Sequence, residues 1–195
     1  MVNSESENLT VALWRTLYQT YTRFKNCFDH IVGEQGLTME QYLVLSIIKH
    51  HDPPVTITDV ARLAERSTNS VSMIADRMVK AGLLRRVRDK KDRRVVNVFL
   101  TSKAENAFES ATMPTWEFLQ QAMSPLSYED KRTFASLFRM INYKLLEHLN
   151  LGADVEGMLK DDFERQNYLI KQFRKQSWLA ISEAKRSSRK PRRKP

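Results

Sequence analysis

Helical periodicity runs through most of this 195-residue chain and fails in one place, between Leu84 and Leu100. There the runs Leu84–Arg88 and Val95–Leu100 are β-branched or alternating and flank Asp89–Arg93, the pattern of two strands around a short loop. A single hairpin in a chain otherwise spaced by threes and fours leaves no material for a sheet-based core. The expected class is mainly α with a small β-hairpin wing.

The helices around that hairpin are marked by their stripes and their ends. Leu13, Trp14, Leu17, Tyr18, Tyr21, Phe24, Phe28, Ile31 and Val32 make one apolar stripe on a long first helix. Thr38-Met39-Glu40-Gln41 has the form of a capping box and opens a second helix. Thr58 is placed as the cap of a short third helix to about Ala64, and Ser67 or Thr68 as the cap of a fourth running to Ala81. Thr101 opens a helix disturbed at Pro114, and Ser127 caps another that carries Phe134, Leu137, Phe138, Ile141, Leu145 and Leu149. A last stripe runs from Val155 to Trp178. Each of the five glycines is expected where a helix stops: Gly33, Gly36, Gly82, Gly152 and Gly157.

The resulting order is an N-terminal dimerisation helix (8–36), a helix-turn-helix with its hairpin (37–100), a C-terminal helical dimerisation region (101–183) and a disordered basic tail (184–195). The terminal helices carry more apolar face than a small monomer can hide, so they need each other or a second copy. No run approaches the ~20 apolar residues that cross a bilayer. The polar start does not read as a secretory signal, and a lone Cys27 forms no internal disulfide, so a cytoplasmic setting is expected.

Net charge is +9, but Lys185 to Pro195 holds seven basic residues and no acid, so most of the excess lies in the tail. That tail is expected to add affinity for a polyanion by counterion release without sequence preference. Evidence for a polyanionic partner must come from local clustering inside the fold. Val60 to Arg94 supplies it. In the fourth helix Val71, Ile74, Ala75 and Met78 fall on one side, and Thr68, Asn69, Ser70, Ser72, Met73, Asp76 and Arg77 on the other. Short hydroxyl and amide side chains at a helix N-terminus can enter a major groove, although an ordinary wet helix face has the same composition. The hairpin decides between the two. Arg85, Arg86, Arg88, Lys90, Lys91, Arg93 and Arg94 crowd into ten residues directly after a helix-turn-helix, where they can line a minor groove. The DNA-facing set is Ser67, Thr68, Asn69, Ser70, Ser72, Met73, Arg77, Lys90, Lys91, Arg93 and Arg94.

Val60-Ala61-Arg62-Leu63-Ala64, Asn69-Ser70-Val71-Ser72, Asp76-Arg77-Met78, Gly82-Leu83-Leu84-Arg85-Arg86, Asp89-Lys90-Lys91-Asp92-Arg93-Arg94 and Val98-Phe99-Leu100-Thr101 resemble the MarR family of bacterial transcriptional regulators. The resemblance implies a triangular homodimer with interlocked terminal helices and two winged domains on a palindromic operator. It also implies a small-molecule or redox signal that relieves repression. By position, Asn69, Ser70 and Ser72 would face the major groove and Arg93 or Arg94 the minor groove, while Asp76, Arg86 and Asp92 would hold the wing through ion pairs. Two departures stand out: Met73 sits where the family often has a basic residue, and the chain from Asp154 onward exceeds the common family length.

Other chemistry is thinner. Trp14, Tyr18, Tyr21 and Tyr42 could line an aromatic-acid pocket, though core packing is the better reading of them. Cys27 and His30 lie three apart, too few ligands for zinc; a redox- or metal-responsive role through Cys27 is an alternative, set against the usual inertness of a buried free cysteine and its late position in the helix. No nucleophile elbow, phosphate loop, dinucleotide fingerprint or HExxH pair is present, so neither an enzyme nor a cofactor is expected. The competing reading is a winged helix that binds protein. It would want an apolar recognition face, and Met73 is the single apolar residue there.

Overall fold

The computed structural model describes residues 4–89, 92, 93, 95–149, 157, 164, 167, 170 and 171. In chain order the elements are α1 (Ser4–Gly33), α2 (Met39–His50), β1 (Val55–Thr56), α3 (Ile57–Leu63), α4 (Thr68–Lys80), β2 (Leu84–Arg88), β3 (Val96–Leu100), α5 (Ser102–Ala122) and α6 (Tyr128–Leu149). The mainly helical class and the hairpin are as expected. The strands form one antiparallel sheet of order β1-β3-β2, with Val55 opposite Val98 and Arg86 opposite Val98 on its other side. Strand β1 is not foreseen by the sequence pattern. Two residues carry no periodicity, and only pairing with β3 makes them a strand.

The chain divides into two units, to Thr115 and from Trp116. In the first, α1 is anchored by its last turns, where Phe28 and Val32 are buried; Leu9, Val11, Leu13, Trp14, Leu17 and Tyr21 are exposed. Tyr42 of α2 is the centre of an aromatic cluster. Its ring stacks on Phe108 of α5 at 4.8 Å and meets the edge of Phe28 at 5.5 Å. The Tyr42 hydroxyl lies 3.5 Å from Thr112 Oγ1, so the polar tip is not stranded in the core. His50 packs against the same Phe108 ring, and its Nδ1 donates to Ser46 O at 2.8 Å. Burial is the main cause that holds this imidazole below its ordinary pKa, which keeps it neutral at pH 7.

Local signals fixed most helix ends. Thr38 caps α2 with the reciprocal Gln41 bond of a capping box. The cap of α3 is Thr56, two residues before the expected Thr58. The cause is the residue three positions on: Asp59 accepts from Thr56 N and Oγ1 at 3.0 and 2.7 Å, whereas Thr58 would face Ala61, which can return nothing. The pair of bonds also lowers the Asp59 pKa, so the cap keeps its charge at neutral pH. α4 ends in a Schellman motif, with Leu83 N on Met78 O at 2.8 Å and Gly82 N on Val79 O at 3.0 Å. Gly82 takes φ +72 there, which a side chain would resist.

One further expectation changes. α5 runs unbroken through Pro114, whose missing N–H leaves the carbonyl of exposed Ser110 to water. Gly157 has helical backbone, and the residues on either side of it lie outside the described residues. Cys27 is exposed. In the second unit, α6 presents Phe134, Leu137, Phe138, Met140, Ile141, Leu145 and Leu149 to solvent. The basic tail and most of the Val155–Trp178 stripe lie outside the described residues.

Candidate nucleic-acid interface

The interface is assembled by the turn before α4 and by the hairpin after it. Between α3 and α4 the backbone reverses through Glu65, which takes the left-handed conformation at φ 51. Arg66 N closes the turn on Ala61 O at 3.0 Å, and the Arg66 guanidinium reaches Glu40 of α2 at 2.9 Å. The start of α4 is thereby fixed against two other helices. Ser67 caps it, accepting from Ser70 N at 3.2 Å, and the two hydroxyls share a 2.8 Å bond. Val71, Ile74, Ala75 and Met78 are buried, as their spacing required.

The opposite edge is bare. Ser67, Thr68, Asn69, Ser70, Met73, Asp76 and Arg77 are exposed, and Ser72 is half-buried. The N–H groups of the first turn and the exposed hydroxyl and amide heads together suit phosphate oxygens and base edges. Arg77 folds back along the helix, its Nε donating to Met73 O at 3.4 Å.

The wing is tied to this helix by one arginine. Arg86 of β2 forms an ion pair with Asp76 and donates from Nη2 to Ser72 O at 3.3 Å. A rigid guanidinium fork spanning two points of α4 sets the angle between this helix and the hairpin, which a lysine could not do. At the hairpin's base, Thr101 Oγ1 donates to Gly82 O at 2.7 Å and Lys103 Nζ to Ala81 O at 2.9 Å. The neighbouring Arg85 guanidinium lies over the Phe99 ring, 4.7 Å from its centre. At the tip, Asp92 N donates to Asp89 Oδ1 at 3.1 Å and Val95 N to Asp92 O at 3.0 Å, folding the loop on itself. Asp92 thus shapes the turn through its backbone. Arg88 and Arg93 are exposed; Lys90, Lys91 and Arg94 lie outside the described residues.

Between wing and helix lies an open pocket of ≈ 540 Å³, lined by Thr56, Ile57, Thr58, Ser72, Arg86, Arg88, Val95 and Val96. No sequence signal points to it, because its walls come from β1, α3, α4 and the hairpin and share no motif. The aromatic set expected to line a ligand pocket is divided: Tyr42 is buried in the core, whereas Trp14, Tyr18 and Tyr21 are exposed along α1. On the same helix Cys27 is exposed and His30 is too. Among the described residues no three His, Cys, Asp or Glu side chains gather into a metal cluster, and no helix is long and apolar enough to cross a membrane.

This geometry has counterparts. The model of the MarR family matches residues 35–95, the stretch from the end of α1 to the wing. The chain is 31% identical over 103 residues to the HTH-type transcriptional regulator MgrA of Staphylococcus aureus, which is 52% of this chain and 69% of MgrA. It is 29% identical over 97 residues to the HTH-type transcriptional repressor MdtR of Bacillus subtilis, covering 50% of this chain and 62% of MdtR, so it spans less than two thirds of that relative. Among solved structures, the organohalide-sensing regulator RdhR in its 2,4-dichlorophenol-bound form superposes with a TM-score of 0.67 at 22% identity, over 71% of this chain and 82% of RdhR. An E. coli MarR variant complexed with operator DNA does so with a TM-score of 0.62 at 18% identity, over 69% of this chain and 96% of MarR. At such identities the structures speak for the winged helix fold.

Proposed function

The chain belongs to the MarR family of transcriptional regulators, and we propose that it acts as a homodimeric repressor that binds a palindromic operator in double-stranded DNA and is released by a small-molecule effector. The observation that carries this reading is the exposed polar edge of α4 clamped by Arg86 to an arginine-bearing hairpin. Residues 37–100 meet DNA, and 8–36 with 101–183 join two copies. A dimer sets its two recognition helices about one helical turn apart, roughly 34 Å, so the spacing of the winged parts becomes the switched variable. An effector acts only by favouring one spacing over another. The wing-root pocket, with two guanidiniums in its wall, would suit an acid there; the aromatic face of α1 would suit one between copies. Repression follows the role of MdtR, and effector binding the dichlorophenol complex of RdhR. The basic segment 185–195 would add phosphate contacts without choosing a site.

The wing gives the test. Replacing Arg93 and Arg94 together by Ala should weaken operator binding by about ten- to thirtyfold at moderate salt, roughly 1.4–2 kcal/mol. The slope of log affinity against log salt should fall by about one for each phosphate that is no longer neutralised. Fluorescence anisotropy on a selected duplex reads both. Unchanged affinity and slope would remove the hairpin from the interface.

A further inference from the structure

We infer that Met73 reads the 5-methyl group of a thymine in each operator half-site and so sets part of this protein's sequence preference; the inference rests on the DNA-binding reading above. Met73 is 66% exposed at the middle of α4, on the edge that also carries Asn69 one turn before it and Arg77 one turn after. The core does not use it, since the buried side of the helix is filled by Val71, Ile74, Ala75 and Met78.

The heads beside Met73 are drawn elsewhere. Asp76 is held by Arg86, and the Arg77 guanidinium stem turns back to the Met73 carbonyl. A long, unbranched thioether therefore stands out on a polar edge. Against a major groove, that edge meets base-pair donors and acceptors with one apolar exception, the thymine methyl. A flexible methionine suits contact with a single methyl at variable depth. Asn69 on the same edge has the two-point amide that matches adenine N6 and N7. The two residues together favour an A·T-containing half-site, with Met73 supplying the apolar contact to the methyl group.

The test uses the full chain and duplexes enriched by it from a random-sequence library. Each half-site thymine is exchanged for deoxyuridine, which removes only the methyl group, symmetrically in both half-sites. One such exchange should weaken binding of the wild-type chain by about tenfold, the effect of two buried methyl groups. Met73→Ala should bind the thymine duplex more weakly by a similar factor and should no longer distinguish thymine from uracil. The variant leaves the fold intact, because the side chain is exposed and alanine favours a helix, so unchanged thermal unfolding accompanies the result. Indifference of the wild type to every exchange overturns the inference and leaves DNA binding standing. A uracil penalty that persists undiminished in Met73→Ala overturns it as well. Failure of the chain to enrich any duplex overturns the DNA-binding reading and this inference with it.

Discussion

Phe138→Glu is expected to convert the proposed dimer to monomers and to lower operator affinity by at least about a hundredfold. Phe134, Phe138, Ile141 and Leu145 recur along α6 at steps of four, three and four, and all are at least 41% exposed in a single copy. Phe134 and Phe138 lean on each other with ring centres 4.5 Å apart, which forms a continuous aromatic patch that water does not reward. Packing that stripe against a second copy removes it from water, and a carboxylate in the middle would have to be desolvated without a partner. A monomer keeps one half-site and loses the linkage that turns the second into an intramolecular event, a factor of roughly 10²–10⁴. Sedimentation equilibrium reads the first effect and anisotropy the second. Arg139→Glu, exposed on the same helix but off the stripe, serves as control and should remain dimeric. A Phe138→Glu chain that sediments as a dimer and binds as tightly as the parent would mean that α6 does not join the copies.

Phe108→Ala is expected to cost the first unit about 3–5 kcal/mol, lowering its unfolding midpoint by on the order of 10 °C. Phe108 is 2% exposed and forms the floor of the aromatic cluster, with Tyr42 stacked on one face, His50 at its edge and the Lys49 ammonium 5.9 Å from its centre. Truncation leaves a ring-sized void whose walls are held: Tyr42 by Thr112, and Lys49 by its 2.8 Å pair with Glu109. Walls that cannot collapse make the cavity cost large. Phe108→Leu, which keeps part of the volume, should lose less than half as much. Denaturant titrations of the three chains provide the comparison, and a loss below about 1 kcal/mol for the alanine chain would show that the cluster does not root α5 on α2.

Where the sequence was legible, one short window held the whole cause. The buried face of α4, the Thr38 box and the two hairpin runs are such cases, since spacing of three and four, or a hydroxyl with its reciprocating residue, acts within a turn or two. The cap of α3, expected at Thr58 and found at Thr56, is a miss although its cause is as local: Asp59, three residues on, is the partner that separates the two. Features made by elements distant in sequence were not legible. β1 exists because β3 passes beside it, and the wing-root pocket because four elements meet. The clamp of Arg86 on Asp76 joins residues ten apart across a helix end and a strand; family resemblance suggested it where local spacing could not. The aromatic stripe of α1 shows the opposite limit. Periodicity placed Trp14, Tyr18 and Tyr21 on a helix face together with Phe28, yet the chain buries only the far end of that face.

Hydroxyl-radical footprinting of the full chain on an enriched duplex tests most directly whether two copies set this polar edge into DNA with an arginine hairpin alongside. Two protected tracts should appear, centred about 10 base pairs apart, each flanked outward by minor-groove protection that disappears when Arg93 and Arg94 are replaced. A single tract at saturation, or flanking protection that survives removal of both arginines, would contradict it.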